Sequence, residues 1–209
     1  MFDPSLLPSD LTEAADKLFQ AFTRVLSEHE LPEPASLLPD TLAPETFSAQ
    51  LTRAFAGSDY LAQSCIADPE LLLDLVRSGE LFEPLPEAGF EALKAALAEC
   101  ATDADLDLVL RRQRRRAMVR IIWRDLNGLA NLRDTTTELS QLAETAIGAA
   151  LQFHYRELQP RWGRPVGRDS GVEQPMVVLG MGKLGAGELN LSSDIDLIFA
   201  YPESGQTQG

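Results

Sequence analysis

No stretch restricts what this chain can fold into more than Met176 to Tyr201, MVVLGMGKLGAGELNLSSDIDLIFAY. Met176-Val177-Val178-Leu179 is a short apolar run after Pro175 and before a glycine cluster, the pattern of a buried strand. Gly180-Met181-Gly182-Lys183-Leu184-Gly185-Ala186-Gly187 then reads as a turn with one cation. Asp194-Ile195-Asp196-Leu197-Ile198-Phe199 reads as a second strand. Side chains alternate along a strand, so Asp194 and Asp196 share one face. Ile195 and Leu197 take the other, toward a core, and Ile198 and Phe199 mark the strand as buried. Two carboxylates on one face repel unless a cation sits between them, and hard oxygen ligands suit magnesium.

Three readings compete for this stretch. Gly180-x-Gly182-x-x-Gly185 after a strand fits a dinucleotide fingerprint. That site needs a full helix after the glycines and an acidic residue about 20 positions on. Here Asp194 follows Gly185 after nine residues, with no helix of useful length between. A second reading is a glycine turn between core strands with solvated aspartates, which leaves two carboxylates at the start of a buried strand unexplained. The third is a nucleotidyltransferase site. The order strand, glycine turn, Asp-x-Asp resembles the DNA polymerase β superfamily, with Lys183 in place of the usual small residue after Gly182. Backbone N–H groups of such a turn cradle phosphates, and Lys183 would meet a phosphate as a point charge.

The resemblance sharpens in Gly180-Met181-Gly182-Lys183-Leu184-Gly185, Glu188-Leu189-Asn190 and Ser192-Ser193-Asp194-Ile195-Asp196-Leu197-Ile198-Phe199. Together they resemble the bifunctional glutamine synthetase adenylyltransferases, which carry two nucleotidyltransferase halves in one chain. Glu188-Leu189-Asn190 before Ser192-Ser193-Asp194 looks like the N-terminal, adenylyl-removing half. Leu110-Arg111-Arg112, Trp123-Arg124-Asp125-Leu126 and Gly163-Arg164-Pro165 add to the likeness, which runs from about Ser58 to Gly209. The resemblance implies removal of AMP from a tyrosine of glutamine synthetase, with inorganic phosphate as nucleophile and ADP as product. Asp194 and Asp196 would bind magnesium; Gly182, Lys183, Ser192 and Ser193 would hold nucleotide or phosphate. Regulation by PII-type signalling proteins and glutamine is implied in the same way. The superfamily implies a third carboxylate on a later strand that this sequence lacks. The 209 residues therefore read as a fragment of a longer chain, without nucleotidyl chemistry of its own. Two alternatives stay open: a nucleotidyltransferase for another acceptor, and a non-catalytic helical docking module.

Composition bounds the rest. A content of 44% hydrophobic residues permits a buried core, and a net charge of −14 argues against nonspecific nucleic-acid binding. Residues 1–110 hold 5 basic and 21 acidic residues, and residues 111–209 hold 13 and 11, so phosphate chemistry belongs to the second part. Cys65 and Cys100 are too few for a disulfide framework. The start, Met1-Phe2-Asp3-Pro4, has no signal-peptide pattern, and no apolar run approaches ~20 residues, so a cytoplasmic protein without a membrane span is expected.

Earlier in the chain the patterns are helical. Asp10-x-x-Glu13 and the spacing of Leu11, Ala15, Leu18, Phe22 and Leu26 predict a helix over 10–29 ending at His29. Four prolines make residues 31–44 a linker. Helices resume near Glu45, with Ser58 and Asp68-Pro69 as starts and Gly79 as a stop. Residues 88–100 and 103–128 are helical. On the latter Arg112, Arg116, Arg120 and Arg124 step by four, read as a solvated ridge in which Arg120 or Arg124 pairs inside. Thr135-x-x-Glu138 reads as a capping box opening a helix to about Leu158, with His154 as a core histidine. Residues 160–175 and 203–209 read as loops. The expected fold is mainly α with a partial α/β element: a helical region over 1–160, then over 161–209 the strand–turn–strand start of a nucleotidyltransferase domain.

Overall fold

The structure, a computed structural model, describes residues 3–86 and 88–209; the N-terminal reading on Met1 and Phe2 thus lies partly outside the described residues. The helices are α1 (Ser9–Glu28), α2 (Pro44–Gly57), α3 (Asp59–Ala67), α4 (Pro69–Arg77), α5 (Glu91–Ala98), α6 (Asp103–Leu126), α7 (Leu132–Trp162) and the single-turn α8 (Gly182–Gly185). Four short strands are β1 (Arg164–Gly167), β2 (Val177–Gly180), β3 (Leu197–Ala200) and β4 (Gly205–Gln208). The protein is thus mainly helical with a little antiparallel sheet. It divides into two compact units, the first drawn from Met1–Glu87 and Arg112–Thr135, the second from Ala88–Arg111 and Thr136–Gly209.

The first unit is helical. Ser58 caps α3 by accepting from the Leu61 N–H at 3.2 Å, Pro69 opens α4, and Gly79 follows its end at φ +77°, all as the sequence signals suggest. Its core is aromatic: Phe22 meets Phe55 edge-on at 5.5 Å, and Phe47 stacks on Trp123 at 5.5 Å. Burial, with Asp68 nearby, pushes the Cys65 thiol far up, so it packs as an inert apolar group.

The arginine ridge of α6 is not one solvated face. Arg112 is exposed, while Arg120 and Arg124 are each only 4% exposed. Arg116 sits between these extremes in a two-pronged bond to Glu80, at 2.7 and 3.3 Å. Arg120 donates to the Glu83 carbonyl at 2.8 Å and Arg124 to the Leu129 carbonyl at 2.8 Å, so both buried guanidinium groups meet main-chain acceptors. The physical cause is a stripe drift. Steps of four overshoot the 3.6-residue turn by about 40°, so a row of arginines winds from solvent into the core along the helix. The α6 terminus is closed by Gly128 at φ +65°, with Leu129 N–H bonded to Arg124 O and Gly128 N–H to Asp125 O.

Along α7 several expectations are corrected. α7 begins three residues before Thr135, because Asn131 and Asp134 form the reciprocal cap, Asp134 N–H to Asn131 Oδ1 at 3.0 Å and Asn131 N–H to Asp134 Oδ2 at 3.3 Å. Thr135 is buried instead and donates to Asp125 at 2.9 Å. His154 is not in the core: its side chain is 55% exposed, beside Asp103 at 3.7 Å, while Phe153 takes the buried place. Leu158 is exposed too. Arg156 reaches the Ala98 and Cys100 carbonyls at 3.0 and 2.6 Å, a cation satisfying the C-terminus of α5.

The stretches expected as loops contain strands. β1 pairs antiparallel with β4, Arg164 opposite Gln208 and Gly167 opposite Gly205. Neither carries an alternating apolar pattern, so the pairing rests on backbone bonds and on Ser170, which donates to Glu203 from hydroxyl and N–H. β2 pairs antiparallel with β3, Val177 opposite Ala200 and Gly180 opposite Leu197. The expectation of a fully buried second strand fails: Ile195, Ile198 and Phe199 are exposed, Phe199 by 60%, and Leu197 is half-buried. A two-stranded sheet has one face toward α7, where Val178, Gly180 and Leu197 line a cavity of about 370 Å³ with Ile147 and Leu151; its other face has no covering layer among the described residues.

Candidate active site

β2 runs into the glycine turn, and the glycines there do different work. A Cβ on Gly180 would come within 2.8 Å of Leu184, and one on Gly185 would collide with the Gly180 carbonyl oxygen. These two glycines let α8 lie directly on the end of β2. Gly182 adopts φ +54°, a left-handed conformation that disfavours other residues. The bonds within the turn use the N–H groups of Gly185 to Glu188, among them Glu188 N–H to Lys183 O at 2.8 Å. Lys183 is exposed on α8, and Leu184 is buried beneath it.

Asp196 is tied to this turn through the backbone. Met181 N–H donates to the Asp196 carbonyl at 3.0 Å, one step beyond the Gly180–Leu197 pair. This bond closes the Gly180–Leu197 pair at the end of the ladder; β3 begins at Leu197, so Asp194–Asp196 precede the strand in which they were expected. Asp194 and Asp196 are both exposed. Among the described residues neither carboxylate has a recorded hydrogen bond or ion pair, and no group of three or more His, Cys, Asp and Glu forms a metal site. The donor set is two hard carboxylates open to solvent. That chemistry fits magnesium, which takes one or two carboxylates and keeps several waters.

Ser192 and Ser193 lie in the turn just before the aspartates. Ser192 is exposed, whereas the Ser193 hydroxyl donates to the Asn190 side chain and its N–H to the Asn190 carbonyl at 3.3 Å. Ser193 thus has lone pairs to offer and a proton already committed. Sequence reasoning missed Ser140. Its buried hydroxyl accepts from Leu189 N–H at 3.1 Å and donates to Thr136 O at 2.9 Å, which fastens the segment between turn and aspartates to α7. A serine within a helix carries no sequence signal of that role, whereas buried Leu189 belongs to the Glu188-Leu189-Asn190 motif.

The model of the family described as glutamate-ammonia ligase adenylyltransferase matches residues 48–209. A bifunctional glutamine synthetase adenylyltransferase/adenylyl-removing enzyme of Nitrosococcus oceani is 53% identical over 161 residues, covering 76% of this chain and 16% of that protein. Proteins of the same name from Pseudomonas aeruginosa and Pseudomonas syringae are 44% and 42% identical, each over 99% of this chain and over 21% and 20% of their own lengths. The chain spans about a fifth of the length of the curated relatives it matches. A family match from residue 48 onward and identities above 40% along nearly the whole sequence agree with the strand, turn and aspartates described above: the chain belongs to the glutamate-ammonia ligase adenylyltransferase family.

Proposed function

We propose that this chain carries the nucleotidyltransferase site that removes AMP from a tyrosine of glutamine synthetase, in the adenylyl-removing half of a bifunctional enzyme. Residues 161–209 open the nucleotidyltransferase domain, and residues 1–160 form its helical region. In the reaction an oxygen of inorganic phosphate attacks the phosphorus of the tyrosyl-AMP. The bond from that phosphorus to the tyrosine oxygen breaks, the tyrosine takes a proton, and ADP leaves. Gly182 and Lys183 hold the phosphate oxygens, Lys183 as an exposed point charge. Ser192 donates from its hydroxyl, and Ser193 keeps the bend before the aspartates closed through Asn190. Asp194 and Asp196 would hold magnesium, which when bound neutralises developing charge on the reacting phosphates. Glutamine synthetase is the substrate protein, and PII-type signalling proteins are the regulatory partners in this reading. A cytoplasmic setting goes with it; among the described residues no helix is long and apolar enough to cross a membrane.

The observation that carries the proposal is the bond from Met181 N–H to Asp196 O, because it fixes an acidic strand end against the glycine turn. The relatives' names supply the reaction class. The test uses the longer enzyme carrying this segment, with adenylylated glutamine synthetase, magnesium and phosphate. Asp196→Asn removes a ligand charge with little change of shape, and ADP formation should fall by at least about a hundredfold with the circular dichroism unchanged. Undiminished ADP formation would refute the assignment.

A further inference from the structure

Residues 181–196 carry the glycine turn, both serines and both aspartates, and their hydrogen bonds are local. The N–H groups of residues 185–188 bond back to carbonyls of residues 181–184. Ser193 closes on Asn190 through its hydroxyl and its N–H, and Met181 N–H meets Asp196 O. Among the described residues a single hydrogen bond leaves this segment: Leu189 N–H donates to the Ser140 hydroxyl of α7 at 3.1 Å, across 49 positions of sequence.

The place of that bond matters. Leu189 stands between two locally closed turns, residues 181–188 on the side of Lys183 and residues 190–193 on the side of Asp194. Each turn has little slack of its own, so their mutual angle is set at Leu189. Ser140 is built to hold it. Its proton is committed to Thr136 O at 2.9 Å, which turns a lone pair toward the Leu189 N–H. Both residues are buried, Ser140 at 3% and Leu189 at 6% exposed, so water does not substitute for the hydroxyl. Leu184, buried beneath Lys183, is the apolar anchor of the first turn. A buried N–H without a partner is costly, so loss of the hydroxyl favours opening at the joint between the two turns.

We infer that Ser140 is a positioning residue: by pinning Leu189 it fixes the aspartate turn against the glycine turn and raises the affinity of Asp194 and Asp196 for a divalent cation. The inference rests on the proposed metal role of those two aspartates. Groups one step behind metal ligands commonly change metal affinity by about 10–100-fold. Ser140 acts through a main-chain bond five positions from Asp194, which places its effect at the lower end.

The test uses this chain and manganese alone, a cation that takes oxygen ligands as magnesium does. Binding is followed by water-proton relaxation at a temperature where circular dichroism shows every variant folded. Ser140→Ala should weaken manganese binding by about tenfold. Phe153→Leu, a buried change about 20 Å further along α7, perturbs the same helix and should leave binding within about twofold. Asp194→Asn with Asp196→Asn separates this inference from the reading beneath it. If that double variant binds manganese as the parent does, the ligand assignment fails and the role of Ser140 with it. If it loses the ion while Ser140→Ala keeps parental affinity, the role of Ser140 alone is overturned. Weakening as large in Phe153→Leu as in Ser140→Ala would also overturn it, since a general loosening of α7 would then suffice. Should Ser140→Ala fail to fold, the unaltered chain decides. Coupling between two events is reciprocal, so saturating magnesium should raise the protection of the Leu189 amide against exchange by about the same tenfold. No rise at Leu189 would overturn the inference.

Discussion

A Cβ added at Gly185 would collide with the Gly180 carbonyl oxygen, while one added at Gly148, in the middle of α7, would meet nothing within 4 Å. Gly185→Ala should therefore destabilise the second unit by about 1–3 kcal/mol, as overpacking does. Gly148→Ala should stabilise it by about 0.5–1 kcal/mol, the ordinary gain on replacing a helical glycine. Thermal denaturation of the two variants beside the parent checks both signs. Ser140→Ala leaves Leu189 N–H without its partner and should cost about 1–3 kcal/mol. The glycine pattern was legible in the sequence as a turn. Its division into two packing glycines and left-handed ones was not, because packing distance depends on where α8 lies.

At the scale of elements, the helices were legible wherever an apolar stripe met a capping residue. α1 lies within a residue of its predicted span at both ends, and α3 and α4 start at their predicted caps. α7 was misplaced because Asn131 and Asp134 cap one turn upstream of an equally plausible Thr135-x-x-Glu138. Burial along α6 was only half legible: the row of arginines is visible in the sequence, its winding into the core is not. Arg112→Ala should change stability by less than about 0.5 kcal/mol. Arg120→Ala, which loses a charge-assisted bond to Glu83 O, should cost about 1.5–3 kcal/mol, read by urea denaturation. β1 and β4 gave no signal, since backbone pairing needs no side-chain pattern. Their junction predicts a pH response. Hydrogen bonds from Ser170 hold the Glu203 carboxyl below its ordinary value. A depressed folded pKa means the contribution is present at neutral pH and lost as pH falls through the acid range. Amide protection factors in Gly205–Gln208, corrected for the slower intrinsic exchange at low pH, should therefore fall on acidification before those in α7 do.

Across the whole molecule, the charge asymmetry read from the sequence does not settle on the glycine turn. Seven of the 13 basic residues after residue 110 lie between Arg112 and Arg133, in the first unit, and residues 136–209, which contain the turn, hold 5 basic and 9 acidic residues. The order of helices first and strands last was plain. The exposed apolar face of β2 and β3 was not, because alternation tells which residues share a face and nothing of what covers it. The central claim is that Asp194 and Asp196 are the divalent-cation ligands beside the glycine turn, despite many more carboxylates in the acidic part of the chain. Paramagnetic broadening of amide resonances by substoichiometric manganese tests it on this chain directly. The account predicts that the signals of residues 180–184 and 192–197 broaden first, and that Asp194→Asn with Asp196→Asn abolishes the effect. Broadening that starts in residues 3–86, or that persists unchanged in the double variant, would contradict it.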